Sequence, residues 1–241
     1  TKSPAYLRHK GRPVLAIRNL GKLDRPGTPD QYMELIDYFK RRANPRLRAT
    51  LVGGLPAYWR TLTDDSQSDP RWAEVYRSFD VIHGWTVGRY DGVASSNVFA
   101  ANVMAGDVEE AQRLGIDYMA VAWPGFSNHN LTRVDADRPR ERFNKIPRRG
   151  GQFYWQQIFN ALSLDIEMLS VAMFDEVDEG TAIFKTVSRR KDLPRQGRFI
   201  PLSENGVELP DDWYLRLTGE AKRAMTTPRL VRPSMPKRPY V

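Results

Sequence analysis

The residues best suited to chemistry in this sequence are four acids that follow a run of seven uncharged residues, Met168 to Phe174. The acids are Asp175, Glu176, Asp178 and Glu179. The uncharged run is too short for a helix and suits a strand buried on both faces, as parallel strands are. Because the carboxyl ends of parallel strands carry the site in α/β proteins, we expect the acids to lie in a functional site where this strand surfaces, and Gly180 allows a sharp exit.

Paired carboxyl groups can act as general acid and general base, and hydrolysis of a glycosidic bond is one reaction that needs two of them flanking the bond, one of them protonated. Four acids within five residues repel one another, which raises the pKa of at least one and keeps that group protonated near neutral pH. The alternative is an acidic loop that is solvated or holds calcium, because clusters of oxygen ligands also bind hard cations.

Length and composition describe a chain that can bury a sizeable core. With 241 residues and 41% hydrophobic content, a single catalytic-type domain over 1–241 is expected. No apolar run approaches the roughly 18 residues of a membrane-spanning helix, so we expect no membrane span. The absence of cysteine excludes disulfides and thiolate chemistry, and with only three histidines we expect no metal site and no cofactor.

A net charge of +8 would suit an anionic partner such as nucleic acid or an acidic glycan. The excess collects in three runs, 138–149, 189–198 and 229–238. Like-charge runs are usually solvated loops, and these arginines are not interleaved with aromatic residues. Nucleic acid is therefore not the expected partner, and a nucleic-acid-binding protein that uses these runs is left as a further alternative function. The proline-containing tail, 228–241, is expected to be irregular.

Strand and helix patterns alternate along the chain. Strands are predicted at Arg12–Ile17, Ala49–Val52, Asp80–Ile82, Ile116–Ala122 and Met168–Phe174. Helices are predicted after Thr28 and at 70–78, 95–104, 107–114 and 152–163, with a last one from Asp211. Capping boxes are expected at Thr28 with Gln31 and at Asp107 with Glu110, and the second strand is expected to break at Gly53-Gly54.

This alternation is typical of a parallel sheet covered by helices. Polar or aromatic residues follow every predicted strand, so all the strand ends are expected to converge on one site. Convergence of that kind favours a barrel over an open sheet.

Aromatic and basic residues after the strands are candidates for substrate binding. The aromatic candidates are Trp59, Trp85, Tyr90, Trp123 and Phe126. Their rings offer flat apolar faces for sugars, and the alternative for each is core packing. The other candidates are Arg60, Arg89, Arg148 and His83. The arginines would bond hydroxyls or an acidic substituent, or else pair with the acidic cluster, and a structural role is the alternative for the histidine.

Two blocks of the sequence match the motifs of a known family. Phe174-Asp175-Glu176-Val177-Asp178-Glu179-Gly180-Thr181-Ala182-Ile183 matches the pattern Phe-Asn-Glu-Trp-His-Glu-Gly-Thr-Gln-Ile, with Asp, Val and Asp in place of Asn, Trp and His. Upstream, Pro124-Gly125-Phe126 and Arg148-Arg149-Gly150-Gly151-Gln152-Phe153-Tyr154 are similar to Pro-Gly-Tyr and Arg-x-x-Gly-x-Tyr-Tyr. These patterns resemble the glycoside hydrolase family 99 and 71 group. Tyr154, together with Asp175 and Asp178 of the acidic cluster, completes the candidate substrate-binding residues.

The resemblance implies a retaining glycoside hydrolase on a (β/α)8 TIM-type barrel, in a group whose family 99 members include endo-acting α-mannosidases. By this correspondence Glu176 is a base on the sugar 2-hydroxyl, which gives an anhydro-sugar intermediate. Glu179 is then the acid, and later the base, at the glycosidic oxygen. The resemblance further implies an α-linked, mannan-like or related polysaccharide as substrate and a secreted or periplasmic location.

The resemblance extends over about 13–225 and begins in mid-barrel. Five βα units are predicted where a barrel of this type has eight. The chain is therefore expected to hold the last five units. The first three strands are expected either to have been cleaved or omitted, or to be supplied by a separate chain or fragment. The altered motif and the missing units leave a non-catalytic glycan-binding barrel as the alternative function.

Overall fold

The computed structural model describes residues 3–134, 139–226 and 231–237, and over that part the protein is an α/β protein. The described strands are β1 (Arg8–His9), β2 (Arg12–Arg18), β3 (Thr50–Pro56), β4 (Val81–Trp85), β5 (Asp117–Ala122) and β6 (Met168–Val171). The α-helices are α1 (Pro29–Asp37), α2 (Arg71–Arg77), α3 (Val93–Phe99), α4 (Ala105–Leu114), α5 (His129–Val134), α6 (Gln152–Ser163) and α7 (Trp213–Thr226). Helices follow the strands from β2 onward, which confirms the predicted α/β class.

The described strands form one sheet in the order β1-β2-β3-β4-β5-β6. The edge strand β1 pairs with β2 antiparallel, whereas β2, β3, β4 and β5 are parallel neighbours. The register sets Arg18 opposite Gly54, and Pro56 opposite Trp85. The carboxyl ends of these strands therefore lie at the same edge of the sheet.

The chain divides into two compact units, the first of which covers Thr1–Thr86 and Val103–Ala120. Its core is centred on β3, every residue of which is buried. Leu51 and Leu55 of β3 belong to one cluster of buried side chains with Tyr76 of α2. Burial on both faces is what a strand between two parallel neighbours requires.

The second unit covers Val87–Asn102 and Val121–Val241. Its core combines α6 and α7, where Tyr154 and Ile158 cluster with Trp213. The tyrosine hydroxyl lies 2.9 Å from the hydroxyl of Thr218 on α7, so the two helices share a polar contact inside an apolar interface.

Helix α1 begins as its sequence predicts. The Thr28 hydroxyl accepts a hydrogen bond from the Gln31 backbone N–H, and the Gln31 side-chain oxygen accepts one from the Thr28 N–H. This reciprocal capping box satisfies two N–H groups that the first turn of a helix leaves without partners.

The predicted break at Gly53-Gly54 is wrong, because β3 runs through both glycines to Pro56. The glycines allow close neighbours instead of a turn. A Cβ on Gly53 would lie 2.7 Å from the Phe79 ring, and one on Gly54 would lie 2.9 Å from the Cα of Arg18.

Gly53→Ala is therefore expected to lower the free energy of unfolding by about 1–3 kcal/mol, because the added methyl group overpacks a buried ring. The matched control is Gly219→Ala in α7, where a Cβ would meet nothing within 4 Å. That change is expected to raise the free energy of unfolding by about 0.5–1 kcal/mol, since alanine loses less backbone entropy in a helix. Urea denaturation of both variants measures the two effects, and a neutral Gly53→Ala would contradict the close packing.

Strand β6 is shorter than predicted and half-buried, where burial on both faces was expected. It ends at Val171, and the rest of the apolar run leaves the sheet. Met173 donates its N–H to the Thr181 carbonyl and accepts from the Ile183 N–H. These bonds pair the end of the run with the chain that returns from the acids. Phe174, the last residue of the run, is 61% exposed.

The predicted capping box at Asp107 is also wrong. The helix after β4 starts earlier, at Val93, and continues through a π-helical turn, Ala100–Met104, into α4. Asp107 therefore lies inside the helix, and its carboxylate accepts a hydrogen bond from Arg60 Nε.

Parts of the basic runs and of the tail fall at 135–138, 227–230 and 238–241, which lie outside the described residues. The described part of the tail, 231–237, contains neither helix nor strand. Within the described ranges, no helix is both long and apolar enough to cross a membrane.

Candidate active site

The four acids lie in a loop, Asp175–Gly180, that is called the acidic loop below. Its two ends are joined through Glu176, whose carbonyl accepts hydrogen bonds from the N–H groups of Thr181 and Ala182. The Thr181 hydroxyl donates to the same carbonyl at 3.3 Å. The loop is thus closed by its own backbone, which limits the positions that its carboxylates can take.

Gly180 anchors the loop to its surroundings. Its φ of +65° favours glycine, and a Cβ there would lie 2.9 Å from the Ile200 side chain. The Gly180 carbonyl accepts a hydrogen bond of 3.1 Å from Arg148 Nε. One residue earlier, the Glu179 carbonyl accepts one of 2.7 Å from the Ser127 N–H, which ties the loop to the segment after β5.

The carboxyl group of Glu179 differs from an ordinary surface carboxylate. Burial raises its pKa above the usual value, and the negative charges of Glu176 and Asp178 raise it further. A raised pKa in one member of the cluster is what the sequence predicts, although burial is the largest cause and repulsion the second. The raised pKa favours the protonated form, which is the form that donates a proton.

Two substitutions in the acidic loop test how much each neighbouring charge raises the pKa of Glu179. Glu176→Gln and Asp178→Asn are each expected to lower the pKa of Glu179, because each removes a neighbouring negative charge. The shift is expected to be larger for Glu176→Gln, because the charge of Glu176 raises the pKa of Glu179 more than the charge of Asp178 does. Carbon-13 NMR titration of labelled glutamate carboxyls, with the signal assigned by its loss in Glu179→Gln, measures both shifts. An unchanged pKa in Glu176→Gln would show that the two glutamates do not interact.

Arg148 is a basic residue that a hydrogen bond ties to the loop. It is buried, with 3% of its surface exposed, and its guanidinium carbon lies 4.8 Å from the ring centroid of Tyr214. Burial lowers its pKa, while the tyrosine opposes that change. The pKa of Tyr214 is raised to about 12, again chiefly by burial.

Two aromatic candidates of the second unit, Tyr90 and Trp123, form one packed group with Phe153. Trp123 is fully buried, and its ring meets that of Phe153 edge-on at 4.8 Å between centroids. Tyr90 lies beside both rings, at 5.5 Å and 5.9 Å. Gln157 holds the group, since its amide nitrogen donates to the Trp123 carbonyl and its oxygen accepts from the tyrosine hydroxyl. Gln157 was not a sequence candidate, because nothing local marks a helical glutamine as a partner of a strand end.

In the first unit, Trp59 and Arg60 belong to the interior and to an ion pair. Trp59 is fully buried. Arg60 Nε lies 2.8 Å from Oδ1 of the buried Asp107. Arg60 therefore forms an ion pair, as the alternative interpretation of the sequence expected, but its partner is Asp107 and not an acid of the cluster. Burial raises the pKa of Asp107 to about 7 even though the arginine lowers it.

His83 and Trp85 lie together at the carboxyl end of β4. Their rings are in edge contact, with 6.1 Å between centroids. His83 is buried, and burial together with the charge of Arg18 lowers its pKa to about 4, so the ring is neutral at neutral pH. Its Nε2 makes no hydrogen bond within the described residues. Arg18 and Lys22 lie over the Trp85 ring, at 5.4 Å and 5.8 Å from its centroid.

The structure thus brings some predicted residues together and separates others. The charges of Glu176 and Asp178 act on Glu179 within the acidic loop. Asp175, in the same loop, and Arg89 are exposed. Tyr154 lies in the core between α6 and α7, away from solvent. Among the described residues, no three acidic or histidine side chains are arranged to hold a metal ion.

Solved structures with a similar fold are known. No protein-family model and no curated protein matches this chain. A solved structure of the GH99 endo-alpha-mannosidase from Bacteroides thetaiotaomicron matches with a TM-score of 0.65 at 16% identity, over 92% of this chain and 57% of that one. A second structure of that enzyme, in complex with bis-tris-propane, matches with a TM-score of 0.60 at 18% identity, over 93% of this chain and 62% of that one.

The chain therefore spans roughly three fifths of the length of the structures that it matches. Sequence identities of 16% and 18% support a shared fold but not a shared activity. Over the part that it covers, the chain has the fold of the glycoside hydrolase family 99 group.

Proposed function

We propose that this protein is a retaining glycoside hydrolase that cleaves an α-linked glycan internally, with a mannan-like or related polysaccharide as substrate. The observation that carries the proposal is the pairing of Glu176 with Glu179 on a closed loop, where burial and a neighbouring charge raise the pKa of Glu179. The family 99 fold supports the same reaction class, since the neighbouring structures are those of an endo-alpha-mannosidase.

In the proposed mechanism Glu176 accepts the proton of the sugar 2-hydroxyl, and the oxygen so released attacks the anomeric carbon. Glu179 donates its proton to the departing glycosidic oxygen as that bond breaks. The product of this step is a 1,2-anhydro sugar and a free chain end. Glu179, now ionised, removes a proton from water, which opens the three-membered ring at the anomeric carbon, and Glu176 returns its proton to the 2-oxygen. Two displacements restore the original configuration.

The remaining candidates divide by burial. We propose Asp178 and the exposed Asp175 and Arg89 as residues that contact the sugar, together with Tyr90. His83 with its unbonded nitrogen, and Trp85 beside it, are proposed to bind hydroxyls and a sugar face. The fully buried Trp59, Trp123 and Tyr154 are proposed to hold these residues in position, because no ring face of theirs is open to solvent.

We also propose that the strands and helices of this chain form the last five βα units of a (β/α)8 barrel. The match of this chain to 57% of a family 99 structure supports that arrangement. The first three strands would come from a preceding segment or from a separate chain, and activity is accordingly assigned to the completed barrel.

The experiment that tests the function is an assay of the natural full-length protein on an α-linked mannan, with a β-linked mannan as control. Release of reducing ends from the α-linked polymer alone, with products that NMR shows to be α-anomers when first formed, is the expected result. Initial β-anomers would overturn the retaining mechanism. Tight binding of the polymer without any release of reducing ends would favour a glycan-binding protein on the same barrel.

A further inference from the structure

A cavity of about 450 Å³ lies in the second unit beside the acidic loop. One wall is Val177, which sits in the loop between Glu176 and Asp178. The other apolar walls are Phe184, Val187, Leu193, Pro194, Phe199 and Ile200. A volume of this size is typical of a small-molecule site, and apolar walls with a few polar groups are the usual lining.

The polar lining of the cavity includes two groups that lack partners. Arg148 is 3% exposed and uses its Nε to hold the Gly180 carbonyl, but its Nη1 makes no hydrogen bond in the described part of the chain. The Thr186 hydroxyl is buried and likewise makes none there. Although Arg148 is held by the Gly180 carbonyl and by Tyr214, a buried guanidinium nitrogen and a buried hydroxyl that make no hydrogen bond are both unfavourable, so each is a position where a ligand would gain hydrogen bonds.

The charge of Arg148 is not balanced by the other charged residues of the lining. Asp211 is the acid that lines this cavity, and it faces Lys185 at 3.8 Å. Those two charges offset one another, and Arg148 contributes a net positive charge. The ring of Tyr214 packs against the guanidinium, and its hydroxyl carries no negative charge because the pKa of Tyr214 is raised.

We propose that this cavity binds the carboxylate of an acidic sugar, so that the glycan processed at the acidic loop carries a uronic acid or a carboxylate-bearing substituent next to the cleaved bond. One guanidinium and one hydroxyl match a monoanion, whereas a phosphate dianion would leave charge unbalanced among apolar walls. Phe184 and Phe199 offer apolar faces for the C–H side of a sugar ring. The link to a cleaved bond rests on the proposed glycosidase function, but binding of the carboxylate does not.

The test measures binding, not turnover. Methyl α-D-glucuronide and methyl α-D-glucoside are titrated by calorimetry against the natural full-length protein, since the two differ in a carboxylate and share a ring. The glucuronide is expected to bind at least about 10-fold more tightly, the effect of one charge-assisted hydrogen bond. Equal affinity of the two sugars would overturn the proposal.

Two variants assign the effect to the cavity. Arg148→Met and Thr186→Val are each expected to weaken glucuronide binding, by about 10- to 100-fold for the arginine and less for the threonine. Arg195→Met, an exposed residue outside the cavity lining, is the matched control and is expected to change nothing. Should Arg148→Met fail to fold, Thr186→Val alone decides the matter, and unchanged binding in that variant would overturn the proposal.

A third set of measurements distinguishes a carboxylate on a sugar from a free carboxylate, and it distinguishes failure of the cavity proposal from failure of the proposed hydrolase function. Pivalate, a free acid without a sugar, is expected to bind more weakly than the glucuronide, and equal affinity would overturn the glycan part. Glucuronide binding that persists in a protein without hydrolase activity would support the cavity while the proposed function fails. Hydrolysis of neutral mannan by a protein that does not bind the glucuronide would overturn the cavity alone.

Discussion

Glu179→Gln and Glu176→Gln are each expected to lower the rate of glycan hydrolysis by about 10³-fold, within the range that general acid and base catalysis contributes. Glutamine keeps the size and polarity of the side chain but neither donates nor accepts the proton in question. The loop is held by backbone hydrogen bonds at Glu176, Thr181 and Gly180, so both variants are expected to keep the wild-type melting temperature.

The matched control is Glu167→Gln, an exposed glutamate directly before β6 and therefore at the opposite end of that strand. Its activity is expected to equal that of the wild type. Initial rates of reducing-end release by the full-length protein measure all three variants. Near wild-type activity in Glu179→Gln would remove that residue from the mechanism, whatever the result for Glu176→Gln.

The second large effect concerns stability and the ion pair between Arg60 and Asp107. Arg60→Met is expected to lower the free energy of unfolding by about 3–5 kcal/mol at pH 8, because it leaves a buried carboxylate without its partner. At pH 4 the loss is expected to be much smaller, since the carboxyl is then protonated in the folded protein. Urea denaturation at the two pH values measures the difference.

The sign of this pH dependence follows from the raised pKa. The pKa of Asp107 rises from 3.8 to about 7 on folding, so the folded protein binds the proton more tightly than the unfolded chain. Its contribution to stability is full below pH 4 and is lost as the pH rises through 7. The loss amounts to roughly 4 kcal/mol.

Asp107→Asn removes the titrating group and is expected to abolish this decline between pH 4 and 7. Arg216→Met, which breaks a more exposed pair between α7 and Asp212 directly before it, is expected to change the free energy of unfolding by about 0.5 kcal/mol or less at either pH. A pH-independent loss in Arg60→Met would show that the carboxyl is not the group whose charge matters.

Local patterns in the sequence predict much of this fold. The capping box of Thr28 and Gln31 is present as written, because it depends on residues three apart. The strands and most helices follow from runs and periodicity. Errors arise where distant residues decide the outcome: β3 continues through Gly53 because Phe79 packs against it, and β6 ends early because Met173 bonds to Thr181.

The candidate site shows the same division. The acidic loop is visible in the sequence as a cluster, and one raised pKa follows from mutual repulsion. The partner of Arg60 is 47 residues away, and no spacing rule links the two. The cavity beside Val177 is likewise assembled from Arg148 and from residues of a long irregular segment, 184–211, whose folding no periodicity predicts.

Whether Glu176 and Glu179 act on the same glycosidic bond is decided by a crystal structure of the full-length Glu179→Gln variant with a bound α-linked oligosaccharide. We expect the amide at position 179 to lie within about 3.2 Å of a glycosidic oxygen, and the Glu176 carboxylate to lie at a similar distance from the 2-hydroxyl of the preceding sugar. An oligosaccharide bound elsewhere, or one that places both side chains more than about 5 Å from any glycosidic oxygen, would contradict that expectation.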